Sequence, residues 1–528
     1  MAPNLSWQSG APIEILGRAS PPSRPIWFRH QTPLECTVDG STLITTSIQL
    51  SPPSPSPHEL NLDVVRAAVR QLRWDHPAIA NEHGWSGPPP AAEHAVFAYE
   101  VPGSESDIDV WLSQVVVDSR SRLLDANGDI EKAVDTLMHD LCKAHPLKAP
   151  FFLVHYLPAA SLAGKHALSF SFNHAVFDAA GSFQIMDLCV SRIADALATG
   201  GERSPLPWGE EISRLPPAFV ESARIPHTAD KIPEDEFMVQ RVKDVAQTLS
   251  TAHTLPGPRF QPFPSSTGAF MRTASPDVLT TLRTTARQNG ATVFSLLMAT
   301  ASLSCIRVRS PVDTANVTLP FLHSPVNGRS LACTDPDDRS QWSVRISMGF
   351  NSYATRDLGR FVRSSDDSRQ LIEDVWVLAR EVRKQTEEQK RHMERMPVWG
   401  DDVLAAISEA FSDESIKSSR WSPILSSIGV VDTYLARSHA VATGGELTVS
   451  SPLLRPTYPP SFVGCSVALH AFTWGGKLML TFSFPEGSMG SAEDQAIALK
   501  EGRNDDAIGL QFVNEFMYIL DVIAQSAQ

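Results

Sequence analysis

Apolar residues in this chain recur with two different periods, and the two alternate from one end to the other. A β-branched run at 41–49 (STLITTSIQ) has the density of a strand. After a Pro/Ser break at SPPSPSPHE, Leu62, Val65, Ala68, Val69 and Leu72 fall at three- and four-residue spacing. That spacing predicts an amphipathic helix ending at Asp75-His76-Pro77. A strand is expected at 95–102, and a helix over 129–143 with Ile130, Val134, Leu137, Met138 and Leu141 as its buried stripe. Two more strands are expected at 151–157 and 166–173. The second half repeats the theme. Helices are expected at 275–288, with Ser275 as N-cap and Pro276 in the first turn, and at 292–304. Strands are expected at 316–322, 343–350, 426–431, 467–472 and 478–484. A long charged helix is expected over 369–395 and an amphipathic one over 507–524.

Alternation of this kind predicts an α/β fold (α+β, with mixed sheets) in two layers. Between the halves, 199–236 is rich in Pro, Gly, Ser and charge without periodicity, and reads as a long exposed crossover. The expected division is an N-terminal domain over 1–205, a crossover linker over 206–262 and a C-terminal domain over 263–528. Length alone allows roughly three to four units, or two large ones.

Composition narrows the function classes. With 42% apolar residues the chain can bury a real core, which excludes wholesale disorder. A formal charge of −14 disfavours nucleic acid or an anionic membrane surface as partner. No apolar run reaches the ~18 residues of a membrane span, and the first residues lack the pattern of a secretory leader. The expectation is a cytoplasmic monomer. The six cysteines (Cys36, Cys142, Cys189, Cys305, Cys333, Cys465) are scattered, with no CxxC and no Cys/His cluster, so no metal site is expected. Cys142, Cys189 and Cys305 lie in apolar helical patterns and read as small buried hydrophobes.

The most informative segment is HALSFSFNHAVFDAAGSFQIMDL. A strand with alternating apolar residues runs into His174, Asp178 follows four residues on, and Ala179, Ala180 and Gly181 lead into a helical pattern. A strand-to-helix turn puts a histidine at the mouth of a sheet, where small residues allow close approach. Histidine suits general-base work because it titrates near neutrality. Among the 16 histidines, His174 alone has an aspartate at the fourth position after it. Two readings stand at this point: a base steadied by a carboxylate, or a loop histidine beside an aspartate that caps a helix. No GxSxG nucleophile elbow exists. His155, His166 and His470 fall on strand patterns and read as structural, while Trp421 and Trp474 fit either an apolar pocket or the core.

HAVFDAAG after a buried strand resembles the HxxxD signature of the CoA-dependent acyltransferase superfamily. That superfamily includes plant BAHD acyltransferases, peptide-synthetase condensation domains and fungal trichothecene acetyltransferases. Other segments are similar in order: the early helix ending in His76-Pro77, the ATVFSLLMATASLS helix, LPFLHSPVNGRS with its Asn-x-Arg turn, and the late strand LSSIGVVD. There are departures. Ala179 stands where the plant and condensation motifs carry Gly, Asn173 stands where condensation domains carry a second His, and the plant DFGWG is absent. Length, long linker and modified motif are closest to the fungal trichothecene 15-O-acetyltransferase type.

The resemblance implies two similar chloramphenicol-acetyltransferase-like domains with an active-site tunnel between them. It implies an acyltransferase that moves an acyl group, acetyl first, from acyl-CoA to a hydroxyl of a small secondary metabolite such as a terpenoid or polyketide. His174 would be the general base. Asp178 would be structural, its carboxylate paired with Arg329, since a buried carboxylate needs a partner and a bidentate Arg is the usual one. Ser427 and Gly429 are assigned to the wall that holds acyl-CoA, a co-substrate rather than a resident cofactor. Two alternatives stay open: a condensation-like enzyme using a carrier-protein-bound thioester, and a catalytically retired binding or scaffold protein.

Overall fold

The structure is a computed structural model. It describes residues 5–10, 13–15, 24–32, 35, 43–54, 58–87, 94–143, 149–159, 164–222, 267–308, 322–332, 346–351, 361, 367–391, 422–457, 465–485 and 507–526. The expected strand at 316–321, Trp421, Cys36 and Cys333 lie outside them. The architecture is mixed α/β, divided into two compact units. One draws on Met1–Pro226, Arg329–Arg345 and Val431–Thr457, and the other on His227–Gly328, Ile346–Val430 and Tyr458–Gln528.

The first unit is built on a six-stranded sheet. Its order is β14 (Ser438–Ala440), β15 (Glu446–Pro456), β4 (Leu43–Ser51), β9 (His166–Asn173), β8 (Phe152–Leu157) and β7 (Val116–Asp118). All pairs are antiparallel except β7 with β8. Helix α1 (Leu62–Asp75), capped by Asn61, packs on α3 (Ala179–Ala198), and α2 (Ile130–Leu141) covers β9 and β4 with the apolar stripe the spacing predicts. Every residue of β9 is buried. Ser169 is accommodated there by lateral pairing: its Oγ donates to Ser47 Oγ at 3.0 Å, and Ser47 Oγ donates to the Leu168 carbonyl. A smaller five-stranded sheet in the same unit has the order β1 (Gln8–Ser9), β3 (Ile26–His30), β6 (Ala95–Glu100), β5 (Glu82–Trp85) and β2 (Glu14–Ile15).

The second unit has its own six-stranded sheet. Its order is β10 (Thr267–Ala274), β17 (Lys477–Pro485), β16 (Cys465–Trp474), β13 (Ser422–Val430), β11 (Leu322–Asn327) and β12 (Ile346–Asn351). Helices α4 (Pro276–Gln288, capped by Ser275), α5 (Val293–Val308), α6 (Ser368–Arg391) and α7 (Ala507–Ser526) enclose one apolar core with it.

Two features differ from the linear reading. The units are not contiguous in sequence: β14 and β15 come from the far end of the chain, yet they complete the first unit's sheet through the β15–β4 pairing. Part of the expected exposed crossover is also packed. Residues 206–222 lie against the first unit, where Glu211 is fully buried and accepts from the Tyr99 hydroxyl at 2.9 Å. There the Trp7 indole N–H donates to the Pro216 carbonyl at 2.7 Å, and Arg214 stacks over Trp74 at 4.2 Å. These contacts are long-range, so no local periodicity announces them.

Candidate active site

The site begins where β9 ends. Asn173 is the last strand residue, and the chain turns through 174–177 before α3 starts at Ala179. Asp178 is the N-cap. Its Oδ1 accepts from the Gly181 N–H at 2.7 Å, and its backbone carbonyl accepts from the Ser182 amide at 2.8 Å and hydroxyl at 2.9 Å. Gly181 is thus the residue whose amide the carboxylate holds.

Arg329, the first residue of a single helical turn Arg329–Ala332, meets the same carboxylate as a fork. Nη1 donates to Oδ2 at 2.8 Å and Nη2 to Oδ1 at 2.7 Å. Asp178 is 2% exposed and Arg329 9%. A charge this deep is tolerated only when paired and hydrogen-bonded, and both conditions are met. Of the two roles open to Asp178, the geometry favours the brace: it caps α3 and anchors the segment at 329.

His174 is half-buried between the buried neighbours Asn173 and Ala175. Its Nδ1 is shielded from solvent and makes no hydrogen bond among the described residues. Burial pushes its pKa below the usual 6.5, while the backbone at His174 and Phe177 and the charge of Asp178 oppose the shift. A neutral imidazole at pH 7 is the form that accepts a proton.

Ser427 and Gly429 lie on β13, in the second unit. The β13–β16 register shifts between Ser427 and Gly429, and Gly429 takes a φ of +88° at this bulge. The strand end there borders a cavity of about 180 Å³. Its walls are apolar, including Leu279, Phe294, Leu297, Phe472 and Leu478, with Arg283 as the one charged side chain among the described residues. His174, Asp178 and Arg329 therefore belong to the first unit, and Ser427 and Gly429 to the second.

Other nucleophiles fare poorly. Cys142, Cys189 and Cys305 are buried, and burial raises the Cys189 thiol to about 12 and the Cys305 thiol further. Ser119 Oγ does sit 2.8 Å from His155 Nδ1, but burial holds His155 at about 4, too weak a base to activate a hydroxyl. His166 is held at about 4 as well. Among the described residues no His/Cys/Asp/Glu group is arranged to hold a metal ion. No single helix there is long and apolar enough to cross a membrane. Two buried groups escaped the linear reading: Asn173, noted only as a departure from a motif, and His83, 3.3 Å from its side-chain amide. An Asn closing a strand before a turn was the available signal for the first; nothing in sequence pairs it with residue 83.

The fold resembles that of an acetyltransferase and of peptide-synthetase condensation domains. No family model matches the chain, and no curated protein matches it either. Among solved structures it is similar to the TRI3 trichothecene 15-O-acetyltransferase from Fusarium sporotrichioides, with a TM-score of 0.70 and 15% identity over 97% of both chains. It is also similar to the first condensation domain of the calcium-dependent antibiotic synthetase (TM-score 0.53, 12% identity, 94% of both chains). The peptide synthetase FmoA3 gives a TM-score of 0.52 at 16% identity, over 97% of this chain and 44% of that one. At these identities the likeness is one of fold.

Proposed function

We propose that this chain is an acyl-CoA-dependent O-acyltransferase, acetyl being the first donor to try, acting on a hydroxyl of a small secondary metabolite. The observation that carries this reading is a neutral, half-buried His174 on a turn braced by the buried Asp178–Arg329 fork. His174 takes the hydroxyl proton as the acceptor oxygen attacks the thioester carbonyl. The C–S bond then breaks, and the proton passes to the departing thiolate, giving ester and free CoA. Because Nδ1 is shielded, Nε2 is the nitrogen assigned to the acceptor. The scheme needs no acyl-enzyme, consistent with the inert cysteines. The cavity at Ser427 and Gly429 is assigned to the donor, and the chain is read as a cytoplasmic monomer.

The test avoids the unknown acceptor. Thermal unfolding is recorded with acetyl-CoA and with free CoA, for the parent and for His174→Ala. A ligand at 100 times its Kd adds about 2.7 kcal/mol, a readable shift. Shifts in both proteins support a CoA site separate from the base, and alcohols can then be screened by thiol release, where His174→Ala should lose about 10²–10⁴-fold in turnover. No shift in either protein refutes the free-CoA reading and points to a carrier-protein donor, in keeping with the likeness to condensation domains, or to a retired active site.

A further inference from the structure

We infer that Asn173 and His83 form a positioning pair that fixes the turn carrying His174; the inference rests on the assignment of His174 as base. The turn between β9 and α3 has no ladder to satisfy its amides, and the surroundings are dry. One residue supplies what is missing. Asn173 Oδ1 accepts from the Ala175 N–H at 2.8 Å, and the Asn173 carbonyl accepts from Val176 at 3.2 Å and Phe177 at 3.1 Å. The three amides that follow His174 are all held by its immediate neighbour. The backbone leaving His174 has little freedom as a result, and the direction of its Cα–Cβ bond is set.

The amide orientation follows from that network. Ala175 requires an acceptor, so Oδ1 faces it and Nδ2 faces His83 Nε2, 3.3 Å away. His83 then accepts through Nε2 and carries its proton on Nδ1. Asn173 is fully buried and His83 is 8% exposed, so an unmatched amide here would be costly to leave unpaired. Phe151 closes the set. Its carbonyl accepts from the Asn173 N–H at 2.9 Å, and its ring packs on His83 with centroids 4.4 Å apart. β5 is thereby tied to the end of β9 at the residue before the base. Both side chains are positioning groups that act through His174.

The experiment uses the full chain labelled at histidine Cε1, with the His174 resonance assigned from its loss in His174→Gln. Its titration is compared in the parent, Asn173→Ala, Asn173→Ser and His83→Phe, beside unfolding curves and thiol-release kinetics. Asn173→Ala should shift the His174 resonance and move its titration up toward 6.5 as the ring gains water. It should also lower kcat about 10²-fold, the scale of a 1 Å misplacement, with KM for acyl-CoA within about twofold. Asn173→Ser, which keeps an oxygen for the Ala175 amide, should recover much of both changes, and His83→Phe should reproduce them in part. An unmoved His174 titration in Asn173→Ala overturns the inference, whatever happens to stability. Should His174→Ala leave turnover unchanged, the base assignment itself fails, and the resonance still reports whether Asn173 positions the ring.

Discussion

Removing half of the Asp178–Arg329 fork tests what holds the candidate site together. Asp178→Asn keeps a side-chain oxygen for the Gly181 amide but deletes the charge that faces the Arg329 guanidinium, which is only 9% exposed. Stranding one member of a buried pair costs about 3–5 kcal/mol. Asp178→Ala also removes the α3 cap, worth about 1 kcal/mol more. For a cooperative unit of this size each kcal/mol lowers Tm by about 2–4 °C, so Asp178→Asn should melt roughly 6–20 °C below the parent. The companion is Arg329→Met, which strands Asp178 instead. The double variant removes both charges and should be more stable than the sum of the singles predicts, with coupling toward the upper end of the usual range of about 0.5–3 kcal/mol. Urea unfolding followed by tryptophan fluorescence reads all four proteins. Single variants within about 0.5 kcal/mol of the parent, or an additive cycle, would refute the brace. Normal unfolding with a selective loss of turnover would make Asp178 a direct participant instead.

Three further outcomes follow from the structure. Because the His174 pKa lies below 6.5, turnover should hold from pH 7 to 6.5 and fall only at lower pH; a limb centred above 6.5 would contradict the burial argument. His155 and His166 titrate at about 4 in the folded protein against 6.5 ordinarily, so the unfolded chain binds protons that the folded chain refuses. Stability should therefore fall as pH drops from 6.5 toward 4, by up to about 1.4 kcal/mol per pH unit for each ring. His155→Gln or His166→Gln should flatten the plot of urea midpoint against pH, and an unchanged slope would sink this account. Gly429→Ala should cost about 1–2 kcal/mol, since its φ of +88° disfavours a Cβ although nothing lies within 4 Å to clash with one. Stability equal to the parent would remove backbone strain as the reason for glycine there.

Much of the fold was legible because it is local. The stripe Ile130, Val134, Leu137, Met138 and Leu141 specifies α2, Ser275-Pro276 starts α4, and the alternation in HALSFSFN gives β9 to the residue. Each of these is encoded within one element by periodicity and caps. The pairing of Asp178 with Arg329 was accessible by family resemblance and by the need of a buried carboxylate for a guanidinium, although 151 residues separate them.

What the sequence by itself determined is many of the elements, though not β5, β10, β14, β15 or the helix Glu105–Val115, together with the α/β alternation and the placing of His174 and Asp178 on a strand-to-helix turn. Tertiary structure alone decided three things. It returned β14 and β15 to the first unit, because antiparallel pairing with β4 depends on register between distant strands rather than on any local pattern. It drew 206–222 onto that unit through Glu211 and Arg214, polar residues whose partners stand far off in sequence. It brought His83 from another sheet to Asn173, because a buried side-chain amide needs a partner, and only the packed chain can supply one.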